Sequence, residues 1–167
     1  MKRILITGKD SYIGTSFENW LMKEPDKYQI DTLDMRDETW KEQDFSKYDV
    51  VFHVAGIAHI KETTENQDLY YKVNRDLAFE TAQKAKLSGV NQFIFLSSMS
   101  VYGIETGVIN EHTSTAPKTA YGDSKLEAEE LINKLQDDSF TVATLRPPMV
   151  YGKGCRGNYP RLVGLAL

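Results

Sequence analysis

Tyr121 and Lys125 stand four residues apart in Tyr121-Gly122-Asp123-Ser124-Lys125, which puts them on one face of any helix formed there. An ammonium beside a phenol stabilises the phenolate and lowers its pKa from about 10. The result would be a group able to move a proton near neutral pH. Spacing alone leaves a plainer reading open, a surface helix with a half-buried tyrosine and a solvated lysine. Ser97-Ser98-Met99-Ser100-Val101-Tyr102-Gly103 follows an apolar run. A hydroxyl at such a strand end can hydrogen-bond the substrate oxygen that a tyrosine protonates, although serines there also make ordinary turns. No Gly-x-Ser-x-Gly elbow surrounds these serines and no histidine is placed to serve them, so hydrolase chemistry is not indicated.

A second chemical element lies near the N-terminus, in Thr7-Gly8-Lys9-Asp10-Ser11-Tyr12-Ile13-Gly14. Gly8 can take a turn geometry closed to other residues, and Gly14 lets strand and helix pack closely. The free N–H groups of the following helix would then face a pyrophosphate. Ser11 occupies the middle position where a glycine is expected; its Cβ limits close approach, while its hydroxyl could donate to a phosphate. Asp34 lies 20 residues past Gly14, where an acidic side chain binds ribose hydroxyls, with Asp31 as a competitor. A carboxylate there repels a 2′-phosphate and favours NAD. Arg36 could pair with that phosphate and keeps NADP open.

These groups need a frame that brings them together, and the hydropathy pattern predicts one. Short apolar runs at 2–7, 28–33, 49–55, 93–96 and 140–145 read as strands. Helical periodicity spans 12–23, 66–87 (closing at Gly89) and 120–135. Strands alternating with helices predict an α/β fold, a Rossmann-like doubly wound parallel sheet flanked by helices. The polar stretch 104–118 is the one long loop, on the ligand-binding edge of such a sheet. Composition agrees: 167 residues, 41% hydrophobic, 26% charged and a net charge of −4 describe an ordinary globular domain with no basic surface for nucleic acid or anionic membrane. Apolar stretches are too short to span a bilayer, and no signal peptide is read. The lone Cys155 suits a reducing, cytoplasmic location. His53, His59, His112 and Cys155 have no zinc-type spacing, so no metal is expected.

Together with His53-Val54-Ala55-Gly56, Val73-Asn74 and Arg146-Pro147-Pro148-Met149-Val150-Tyr151-Gly152, these motifs resemble the extended short-chain dehydrogenase/reductases, in particular the NAD-dependent epimerase/dehydratase family of UDP-glucose 4-epimerase-like enzymes. The resemblance implies Ser98, Tyr121 and Lys125 as catalytic residues, with Lys125 also holding the nicotinamide ribose. It implies backbone amides of Tyr12 and Ile13 on the pyrophosphate, Asp34 and Met35 beside the adenosine, and Val54, Ala55 and Gly56 along the cofactor cleft. Asn74, Pro147 and Pro148 would complete the cofactor site. The implied reaction removes a hydride from a nucleotide sugar while Tyr121 takes the hydroxyl proton, then returns the hydride to the other face.

The family's members run to about 300 residues. Residues 1–157 are therefore expected to form the NAD-binding domain, and 158–167 to begin a truncated substrate-domain helix whose apolar side chains would drive homodimer formation or other self-association. Only a short stretch separates the second strand from the third, as in dTDP-4-dehydrorhamnose reductases. An NADPH-dependent keto-sugar reductase is thus the second reading, and a non-catalytic dinucleotide-binding protein the third.

Overall fold

The computed structural model describes residues 1–58, 60 and 62–155. Five strands, β1 (Lys2–Thr7), β2 (Tyr28–Leu33), β3 (Val50–His53), β4 (Gln92–Leu96) and β5 (Thr141–Leu145), form one parallel sheet in the order β2-β1-β3-β4-β5. The central strands are apolar on both faces because both faces are covered. Helix α1 (Tyr12–Leu21) lays Ile13, Phe17 and Leu21 on Ile4, Ile6, Val50 and Phe52. On the opposite face, α3 (Leu77–Leu87) and α4 (Ala120–Asn133) bring Ala78, Ala82, Ala85, Ala128 and Ile132 against Leu5, Val51, Phe93 and Phe95. The alanines let both helices lie close to the sheet, and each buried phenylalanine contributes about 1.5–3 kcal/mol.

The predicted helix over 66–87 is continuous but not uniform. It runs as α2 (Gln67–Tyr70), a π-turn over Tyr71–Asp76, and then α3. It ends as predicted: Gly89 has φ +79°, its N–H donates to Lys86 O, and Val90 N–H donates to Ala85 O, a Schellman stop. β3 is shorter than the predicted 49–55 because the next two amides, of Val54 and Ala55, turn to the Thr7 hydroxyl at 3.3 and 3.4 Å.

Between β2 and β3 the chain makes only a 3-10 turn, Glu38–Glu42, that buries Trp40. In the order β2-β1-β3-β4-β5 the winding reverses between β1 and β3, and the carboxyl ends of the strands open a crevice at that point. Among the described residues no helix is long and apolar enough to cross a membrane, and no cluster of three His, Cys, Asp or Glu could hold a metal ion. His59 and the predicted helix start and apolar side chains of 158–167 lie outside the described residues.

Candidate active site

The turn after β1 is built around two glycines that nothing larger could replace. At Gly8, φ is +81° and an added Cβ would stand 2.9 Å from Ala55 N; at Gly14 it would stand 2.7 Å from Ser11 Oγ and 3.3 Å from Gly8 O. Ser11 is the N-cap of α1, its Oγ accepting the Gly14 N–H at 3.1 Å. Its hydroxyl is thus spent first on the helix, with its own proton left to donate into the crevice. The N–H groups of Tyr12 and Ile13 occupy the first turn, where no intrahelical acceptor exists, and both residues line the cleft.

That cleft, of about 940 Å³, also receives Ser98, Tyr121 and Lys125. The polar segment after β4 places Ser98 as N-cap of the 3-10 turn Met99–Tyr102, where it accepts the Ser100 N–H at 3.1 Å. Thr119 caps α4 by accepting the Gly122 N–H at 3.1 Å, which sets Tyr121 in the first turn and Lys125 one turn on. Lys125 is only 5% exposed; its Nζ donates to Leu96 O at 2.9 Å and lies 4.9 Å over the Phe95 ring. Burial brings its pKa down to about 8, against the opposing pull of the Glu129 carboxylate.

Tyr121 moves the other way from the sequence expectation. Burial pushes its phenol above the ordinary value, the nearby Tyr70 adds to that, and the hydrogen-bond link to Ser98 pulls it back. Lys125 does not offset this, because with its own pKa near 8 the amine is neutral before the phenol ionises.

The remaining predicted site residues divide by place. Val54, Gly56, Pro147 and Pro148 line the cleft, whereas Gly8, Gly14 and Ala55 lie behind its wall. Asn74 is fully buried and does not face the cleft; its Oδ1 accepts the Ile57 N–H at 2.9 Å, and its Nδ2 donates to Ile57 O at 3.0 Å and Ser124 Oγ at 3.3 Å. It therefore fixes the wall from behind. Met35 corrects the sequence reading in the same way, since its side chain packs in the core with Trp40 and Phe45 rather than facing an adenosine. Asp34 stands at the open end of β2, where the Arg36 guanidinium and amide hold its carboxyl down to about 2. Arg36 pairs with Asp34 on the surface. Asp31 accepts from the Tyr48 hydroxyl at 2.7 Å and pairs with Lys47 at 3.2 Å, on a separate cavity away from the turn.

Three groups behind the site were given no role in it by the sequence. Glu129 is buried, accepts from Arg146 Nε at 3.0 and 3.1 Å and also from the Ser97 hydroxyl. Its spacing of four from Lys125 was the available signal. His53, in contact with Thr7 Oγ1 at 3.0 Å through Nδ1 and stacked near Phe93 and Phe95, is kept neutral by burial, with its pKa down to about 3. Glu62 reaches the start of α4, and no local pattern pointed to it.

The NAD dependent epimerase/dehydratase family model matches residues 4–164. The chain belongs to this family. Among relatives, a UDP-glucose 4-epimerase of Vibrio cholerae is 31% identical, over 98% of this chain and 56% of its own length. The solved structure of MoeE5 in complex with UDP-glucose and NAD is 25% identical with a TM-score of 0.81, over 92% of this chain and 56% of that one. The UDP-Glc/GlcNAc 4-epimerase of Campylobacter jejuni is 27% identical with a TM-score of 0.74, over 87% and 53%. The chain spans about half the length of the curated epimerases it matches. The turn after β1 and the Ser98, Tyr121 and Lys125 side chains meet on one cleft.

Proposed function

We propose that this chain is the cofactor-binding part of an NAD-dependent nucleotide-sugar epimerase acting on a UDP-sugar. The observation that carries the reading is the convergence of Ser98, Tyr121 and Lys125 on the same cleft as the glycine turn. The turn fits a dinucleotide: Tyr12 and Ile13 line the cleft, and their first-turn amides have no intrahelical acceptor. NAD, when bound, supplies the hydride acceptor. The protein's share is proton handling and orientation. Tyr121 takes the proton of the sugar hydroxyl at its phenol oxygen and later returns it. Ser98 holds the same sugar oxygen, which keeps the two in hydrogen-bond reach during transfer. Lys125, with a pKa near 8, supplies a positive charge that favours the phenolate once its ammonium is drawn toward the ribose and Tyr121. Pro147 and Pro148 close one side of the cleft without offering donors that would compete.

The keto-sugar reductase reading has one observation in its favour, the strand-free connection between β2 and β3. Against its NADPH requirement stands the Asp34 carboxylate at the end of β2, which would repel a 2′-phosphate. Titrating NAD and NADPH into the purified chain separates the readings. Saturable NAD binding at least about tenfold tighter than NADPH supports the epimerase. The reverse preference supports the reductase, and no binding of either removes both. Tyr121→Phe should leave NAD affinity within about twofold and, when the same change is made in a full-length enzyme, lower turnover by about 10²–10⁴. Normal turnover by that variant would refute the assignment of Tyr121.

A further inference from the structure

The geometry points to Glu62 as a positioning residue for Tyr121: its carboxylate, clamped on the Ala120 amide, holds the first turn of α4 where the phenol meets Ser98. The inference rests on the reading of Tyr121 as the proton-transfer group. Ala120 is the first residue of α4, and its N–H is one of the donors that a helix start leaves without an intrahelical acceptor. Thr119 satisfies the Gly122 N–H. The Ala120 N–H instead meets both oxygens of Glu62, at 3.1 and 3.0 Å, across 58 residues of sequence. Asp123, the other acidic group in that turn, is engaged elsewhere, accepting from the Tyr71 hydroxyl at 2.7 Å. A carboxylate at this end also complements the helix dipole.

Glu62 is not an isolated cap. Ile57, Ile60 and Glu62 all follow β3, and each is held by a different element around Tyr121. Asn74 grips both backbone groups of Ile57. Tyr70 donates its hydroxyl to Ile60 O at 2.6 Å and sets its ring edge-on to the Tyr121 ring at 6.2 Å. Glu62 closes the circuit on the residue immediately before Tyr121. Ile57 and Gly56 line the cleft, so the wall of the site and the helix carrying its phenol share these anchors.

Amide hydrogen exchange and the ring signals of Tyr121 test this in the chain as it stands. In the wild type the Ala120 amide should exchange at least about tenfold more slowly than the Tyr121 amide beside it. Glu62→Ala should speed Ala120 exchange about ten- to a hundredfold, the loss of one charge-assisted hydrogen bond. It should also shift the Tyr121 ring signals and leave the amides of β3 and β4 unchanged. Glu62→Gln keeps an acceptor oxygen and should restore most of both. Equal exchange at Ala120 and Tyr121 in the wild type would overturn the proposal even if Glu62→Ala failed to fold. So would unmoved ring signals in Glu62→Ala, or acceleration spread over the sheet. These readouts need neither cofactor nor turnover, so they stand apart from the outcome of NAD titration.

Discussion

Lys125 sits in the wall of the cleft with its ammonium on one carbonyl oxygen and over one aromatic ring, and holding a charge there costs stability. Its folded-state pKa of about 8 lies below the ordinary 10.5, so between those values the unfolded chain binds more protons than the native one. Stability therefore rises with pH across that window. Relative to Lys125→Met, the wild type should gain on the order of 3 kcal/mol between pH 8 and 10.5, measured by urea unfolding at several pH values. A flat difference would place the ammonium in solvent. At this scale the tyrosine–lysine spacing was legible in the sequence, and the structure does bring both to the cleft. The direction of the Tyr121 shift was not, because it depends on how deeply the fold buries the phenol, which a spacing of four does not state.

Between elements, the strongest fastening at the site joins the end of β5 to α4. Arg146, the residue after β5, pairs with buried Glu129, donates to the Tyr102 hydroxyl at 2.7 Å and stacks 5.0 Å over that ring. Ser97 adds its hydroxyl to Glu129 and its amide to Leu145 O. The pair thus holds together the strand end before Pro147, the strand end before Ser98 and the helix of Lys125. Arg146→Ala leaves a buried carboxylate without its partner and should cost about 3–5 kcal/mol, whereas Glu129→Leu combined with Arg146→Leu should cost much less. Denaturant midpoints of Arg146→Leu, Glu129→Leu and the double variant close a cycle with the wild type; additive losses would mean the pair is not coupled. Element types and order were readable because apolar period and glycine stops decide them. The π-turn was not, since periodicity over 66–87 averages across one extra residue. Tertiary contacts flank and occupy it: Tyr70 sets its ring against Tyr121, and Asn74 holds Ile57.

For the whole molecule, the order β2-β1-β3-β4-β5 locates the cleft. The motifs alone announced that sheet and its family because they recur in fixed order along nearly all of the chain. Sequence could not tell wall residues from facing residues: Met35 and Asn74 belong to the right motifs yet point into the protein. That distinction also says where this protein can change length. The connection between β2 and β3 spans the rim with one short turn, so two residues inserted after Gln43 should cost under about 1 kcal/mol. Deleting Lys72 takes the extra residue out of the π-turn and lets it close as regular α-helix, with α2 and α3 still in phase. The stability of that variant, read like that of the insertion from unfolding curves, should therefore stay within about 2 kcal/mol of wild type. Insertions and deletions among natural or engineered versions of this chain should accordingly gather in the connection before β3, none of whose residues lines the cleft.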